Sequence, residues 1–71
     1  MLNLKISYKP LWKLLIDKEI SNKQLKEQAK LSASTYQKLR NNENVTTETL
    51  LKICCFLECN ISDIIECVRE N

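Results

Sequence analysis

Apolar residues fall along this chain in two rhythms. Leu2, Leu4 and Ile6 alternate with Asn3, Lys5 and Ser7, the period of a half-buried strand. A lone strand needs a partner, either a C-terminal segment of its own chain or the same segment of a second subunit, and fraying is the alternative. From Pro10 the spacing turns helical. Pro suits a first helical turn, where its missing N–H does no harm. Leu11, Trp12, Leu14 and Leu15 then make a buried stripe that Asp17 to Glu19 end in solvent. Leu50, Ile53, Cys54 and Leu57 stand at i, i+3, i+4 and i+7, a core stripe. Ile61, Ile64, Ile65 and Val68 repeat that rhythm and predict a further, C-terminal helix.

Between these stripes one device recurs. Ser21 and Gln24 have the spacing of a capping box, with Ile20 before the cap and Leu25 after it placed to close a hydrophobic staple. Leu31-Ser32 with Tyr36 repeats the pattern, as do Val45-Thr46 with Leu50 and Cys59-Asn60 with Asp63 and Ile64. Only Ala29-Lys30-Leu31 separates the first two copies, so two short helices join there through a tight turn. That is a helix-turn-helix, whose second helix can lie in the major groove of DNA. Leu25, Ala29, Leu31, Tyr36 and Leu39 are spaced for packing; Ala33, Ser34, Gln37, Lys38 and Arg40 are left small, polar or basic. A helix that only filled a core would not carry such a face.

The residues Leu11-Trp12-Lys13-Leu14-Leu15, Gln24-Leu25, Ala29-Lys30-Leu31-Ser32, Ser34-Thr35-Tyr36, Lys38-Leu39-Arg40-Asn41-Asn42, Thr49-Leu50-Leu51-Lys52-Ile53-Cys54 and Leu57-x-x-x-Ile61-x-x-Ile64-Ile65 carry a resemblance. Together they resemble the Cro and lambda-repressor type (XRE family) of helix-turn-helix regulators in its small single-domain form, over about Leu11 to Ile65. The resemblance implies an all-α, compact five-helix lambda-repressor-like domain, here over residues 9–71; the alternating residues before it make an N-terminal extended segment over 1–8, a short β-strand unless it frays. It implies a sequence-specific DNA-binding regulator, a repressor, acting on double-stranded DNA as a homodimer. Ala33, Ser34, Gln37 and Lys38 match the family's base-contacting positions. Gln37 can pair with adenine and Lys38 with guanine. Ser21, Asn22, Lys23, Ser32, Arg40 and Asn42 are the expected phosphate contacts, and Cys55, Phe56, Ile61, Ile64, Ile65 and Val68 the expected dimer contact. Family members usually have Gly in the turn and just after the recognition helix. Here Lys30 and Asn42 stand there; Asn tolerates positive φ, while a left-handed Lys costs about 1–2 kcal/mol.

Composition narrows the picture further. Seventy-one residues make one domain, which buries only about 60% of its unfolded surface. With no His, no Gly-rich phosphate loop and no paired carboxylates in an apolar frame, neither an enzyme nor a bound cofactor is expected. The longest apolar run, Ile53 to Leu57, is far short of the ~20 residues of a membrane span. No signal-peptide pattern opens the chain, so the expected location is the cytoplasm. Net charge is +2, but residues 1–40 carry +6 and residues 41–71 carry −4, an asymmetry suited to one face toward a polyanion. Cys54, Cys55, Cys59 and Cys67 lack paired C-x-x-C spacing. They read as free thiols packed as small hydrophobes, with no metal; Cys55 and Cys59, one helical turn apart, could share a face. Trp12 reads as packing rather than base stacking. A second functional class stays open: a protein-interaction module, an antitoxin or anti-repressor, masking a protein partner with its apolar C-terminal helix and acidic half.

Overall fold

Helix ends decide how this chain turns. The computed structural model describes residues 3–69. Among them are strand β1 (Leu4–Ser7), helices α1 (Lys9–Asp17), α2 (Asn22–Gln28), α3 (Ala33–Arg40) and α4 (Thr47–Leu57), a 3₁₀ turn over Ile61–Asp63 and strand β2 (Glu66–Arg69). Glu19, Lys30, Asn42 and Glu58 all have φ between 53° and 57°, one just past each helix. After each of them the next N–H bonds five residues back: Ile20 to Leu15 O, Leu31 to Lys26 O, Glu43 to Lys38 O and Cys59 to Cys54 O, at 2.8–3.1 Å. This is the Schellman closure, ordinarily made with Gly. A chain without Gly makes it four times with residues that carry a β-carbon.

The closures explain why the staples recur. Ile20, Leu31 and Cys59 each follow a left-handed residue and immediately precede the cap of the next element, Ser21, Ser32 or Asn60. One half-buried side chain therefore seals the end of one helix and the start of the next against the core. At Ser21 the capping box is complete: its Oγ accepts from Gln24 N–H at 3.1 Å, and Gln24 Oε1 accepts from Ser21 N–H at 2.9 Å. Ser32 and Thr46 cap α3 and α4 by accepting from Thr35 N–H and Thr49 N–H. Asp63 accepts from Asn60 N–H at 3.0 Å.

The core gathers Tyr8, Leu11, Leu15, Leu25, Ala29, Leu39, Leu50, Ile53, Cys54, Leu57 and Ile64. Leu25 and Leu39 anchor α2 and α3 from beneath, so the two short helices are held by one buried leucine each. Tyr8 is the largest side chain in the set and is fully enclosed. It continues the Leu4, Ile6 alternation by one further step, past the point where the sequence reading stopped.

The C-terminal region departs from the sequence expectation. No fifth α-helix forms among the described residues: the chain makes the 3₁₀ turn and then β2, which pairs antiparallel with β1 in the register Leu4↔Arg69, Lys5↔Val68, Ile6↔Cys67 and Ser7↔Glu66. Of the two partners considered for β1, the chain's own C-terminal segment is the one in place. The physical reason is shared need. β1 has unpaired backbone groups, and Glu66–Arg69 pairs with them, with Val68 its one β-branched residue. The helical spacing of Ile61, Ile64, Ile65 and Val68 therefore does not define one face. Ile64 is 0% exposed and belongs to the core, which removes it from the expected dimer contact. Leu2, the first residue of the alternating pattern, lies outside the described residues.

The cysteines divide by position. Cys54 is buried, Cys59 half-buried, Cys55 and Cys67 exposed, and all four are free. Cys55 and Cys59 do not share a helix face, because α4 ends at Leu57 and Glu58 turns the chain away. Cys59 instead meets Cys54. Its thiol is pushed up to about 11, first by burial and then by Cys54 and Asp63, with Lys18 opposing.

Candidate nucleic-acid interface

The outward face of α3 is set by what its inward face must do. Leu39 is buried, and Thr35 and Tyr36 are half-buried. At 100° per residue these three lie on one side, which leaves Ala33, Ser34, Gln37 and Lys38 on the other. All four are exposed. Among the described residues nothing packs over them, and they form a continuous strip of small, amide and ammonium groups along two turns of helix.

The expected phosphate contacts fall on two sides of this strip, and their hydrogen bonds sort them. Asn22 and Lys23 are exposed at the start of α2, in its first turn. Ser21 spends its N–H and one lone pair on the capping box, keeping only its hydroxyl proton to offer. Ser32 has less in hand: its Oγ caps Thr35 N–H and donates its proton to Thr35 Oγ1 at 2.9 Å. Arg40 is exposed at the other end of α3. Asn42 is exposed, but its Oδ1 accepts from Tyr8 N–H at 3.1 Å, which gives this residue a structural duty the sequence did not disclose.

Tyr8 makes that duty intelligible. Its hydroxyl donates to the Glu43 carbonyl at 2.7 Å, while its own N–H is held by Asn42. The start of α1 is thus tied to the loop that follows α3, at the far end of the exposed strip. Burial pushes the Tyr8 hydroxyl above its ordinary pKa, outweighing an opposing backbone hydrogen bond from Val45. Asn at position 42 combines two roles that Gly could not: it tolerates φ of 57° and supplies a side-chain acceptor.

Three helices meet beside the strip. Trp12 of α1 and Tyr36 of α3 pack edge to face, with ring centroids 6.1 Å apart and planes at 77°. Lys26 Nζ of α2 lies 4.9 Å from the Tyr36 ring, and the Arg40 guanidinium 5.2 Å from the Trp12 ring. Trp12 is half-buried against the core, in keeping with its assignment to packing. The sequence reading missed Lys26, and no spacing rule would have found it, because its ring partner comes from the next helix.

A family model described as the Cro/C1-type HTH DNA-binding domain matches residues 10–70. Among solved structures the chain is similar to the crystal structure of the transcriptional regulator VanUg, form II. The two share 44% sequence identity with a TM-score of 0.93, over 99% of this chain and 93% of that one. No curated protein matches.

Proposed function

This chain belongs to the Cro/C1-type helix-turn-helix DNA-binding family, and on that premise we propose that it is a transcriptional regulator, a repressor, that reads the major groove with α3. The observation that carries the reading is the exposure of Ala33, Ser34, Gln37 and Lys38 together on a helix held from beneath by Leu39. Gln37 offers an amide that matches adenine N6 and N7, Lys38 a donor for guanine O6 and N7, and Ala33 a methyl for thymine. Each good pair contributes roughly 1–3 kcal/mol of discrimination. Affinity comes mainly from phosphates: Asn22 and Lys23 on one side of the strip, Arg40 on the other, with Ser21 as a secondary donor. Similarity to a transcriptional regulator over nearly the whole chain supports the same reading.

One such domain makes few contacts, and a homodimer on half-sites about 34 Å apart supplies the rest. Exposed Cys55 and half-buried Phe56, Ile61, Ile65 and Val68 remain available for that contact. The masking alternative loses its main support, because the C-terminal helix it relied on is absent among the described residues and Ile64 is in the core. A mobility-shift series on the DNA upstream of its own coding region, at several salt concentrations, tests the proposal. Binding should be present at low salt and weaken as salt rises; no binding at low salt would refute it. Replacing Gln37 and Lys38 by Ala should flatten sequence preference more than it lowers affinity.

A further inference from the structure

The aromatic pair between α1 and α3 is flanked by two cations. Trp12 is anchored to the core on one side and stands edge to face with Tyr36 on the other. Each ring carries one cation on it: Lys26 on Tyr36 at 4.9 Å and Arg40 on Trp12 at 5.2 Å. Tyr36 and Arg40 occupy the helical row next to Ala33 and Gln37. The two cations therefore stand beside the exposed strip, one from α2 and one from α3. Beside Arg40 lies an open polar notch lined by Ser7, Lys9, Trp12, Arg40 and Asn42, which brings a second cation, Lys9, to the place where a phosphate would meet the guanidinium.

Long basic side chains ordinarily lose much rotamer freedom when they grip a phosphate. Resting on an aromatic face, they have given up part of that freedom already. We propose, on the major-groove reading above, that the Trp12–Tyr36 pair holds Lys26 and Arg40 as two preset phosphate grips flanking α3. Lys26 joins the phosphate contacts, and Trp12 is a positioning residue that never touches DNA.

The test uses the full chain and a labelled mixed-sequence duplex of about 20 base pairs, since phosphate contacts do not depend on sequence. Binding is followed against potassium chloride concentration. Lys26→Gln and Arg40→Gln should each make the slope of log K on log salt shallower by about one. Trp12→Leu keeps both charges, yet should weaken binding about two- to fivefold, with Trp12→Phe recovering most of the loss. Trp12 is the only tryptophan, so its emission reports directly on the grip. It should shift when the duplex saturates the protein and shift less in Arg40→Gln. Lys26→Gln and Arg40→Gln change side chains outside the core, and circular dichroism verifies their fold even if Trp12→Leu fails to fold. A Lys26→Gln slope equal to wild type, or Trp12 emission that stays constant through saturation, overturns the grip alone. Wild-type protein that does not bind the duplex at low salt overturns the grip and the major-groove reading together.

Discussion

Replacing Lys30 by Gly should make this protein more stable. Lys30 sits at φ 54° in the turn of the helix-turn-helix, where a β-carbon crowds the following carbonyl and costs about 1–2 kcal/mol. Gly removes that cost but gives the unfolded chain more freedom, which returns about 0.4–1 kcal/mol. The net gain is about 0.5–1 kcal/mol, or roughly 3–6 °C in the melting temperature of a domain this size. Glu19→Gly and Glu58→Gly should act alike, since φ there is 56° and 53°. These residues close three different helices, so the triple variant should gain about 2 kcal/mol. Asn42→Gly is the internal control. It relieves a similar backbone angle but strips the acceptor from the N–H of Tyr8, a residue fully enclosed in the core, at a cost of about 1–3 kcal/mol. Asn42→Gly should therefore lower the melting temperature while the other three raise it. Lys30→Ala, which drops the charge but keeps the β-carbon, should change little. Thermal and urea denaturation of the five single variants decide the matter. If Lys30→Gly gains nothing over Lys30→Ala, the assigned backbone cost is wrong; if Asn42→Gly stabilises like the rest, the tie to Tyr8 contributes nothing.

Tyr8→Phe removes the 2.7 Å bond to Glu43 and should cost about 0.5–1.5 kcal/mol in urea denaturation, with a larger fall in DNA affinity than in fold content if the tie positions the end of α3. Both titrating groups with raised pKa point the same way. The Cys59 thiol rises from 9.0 to about 11 and the Tyr8 hydroxyl rises above 10.0, so the folded state holds these protons more tightly than the unfolded one. The Cys59 contribution is complete below pH 9 and is lost as pH climbs through about 11, and the Tyr8 contribution declines as pH climbs above 10.0. Melting curves from pH 8 to 11.5 should show this decline, and Cys59→Ala should remove the part that begins at pH 9. Ile64→Ala should cost about 2–5 kcal/mol as a core cavity, independent of protein concentration. A loss that vanished at high concentration would instead place Ile64 in a subunit contact.

The helix starts of this protein were legible in its sequence because they are local. An apolar residue, a hydroxyl or amide cap and an apolar residue four places on are all read within one turn, and α2, α3 and α4 begin at the caps so identified. The exposed strip on α3 was legible for the same reason: one buried leucine and the helical period assign every other position to a side. Tertiary structure decided the rest. The isoleucines and valine after Asn60 have helical spacing, and what overrode it was the unpaired edge of β1, some sixty residues away in the chain, which pairs with Glu66–Arg69. Asn42 looked like a tolerant substitute for Gly until Tyr8, 34 positions earlier, claimed its side chain. Lys26, Tyr36, Trp12 and Arg40 belong to three helices, and only their packing brings rings and cations together. Local rules fix where a helix begins and which way it faces; contacts between distant segments settle what each end of it must hold.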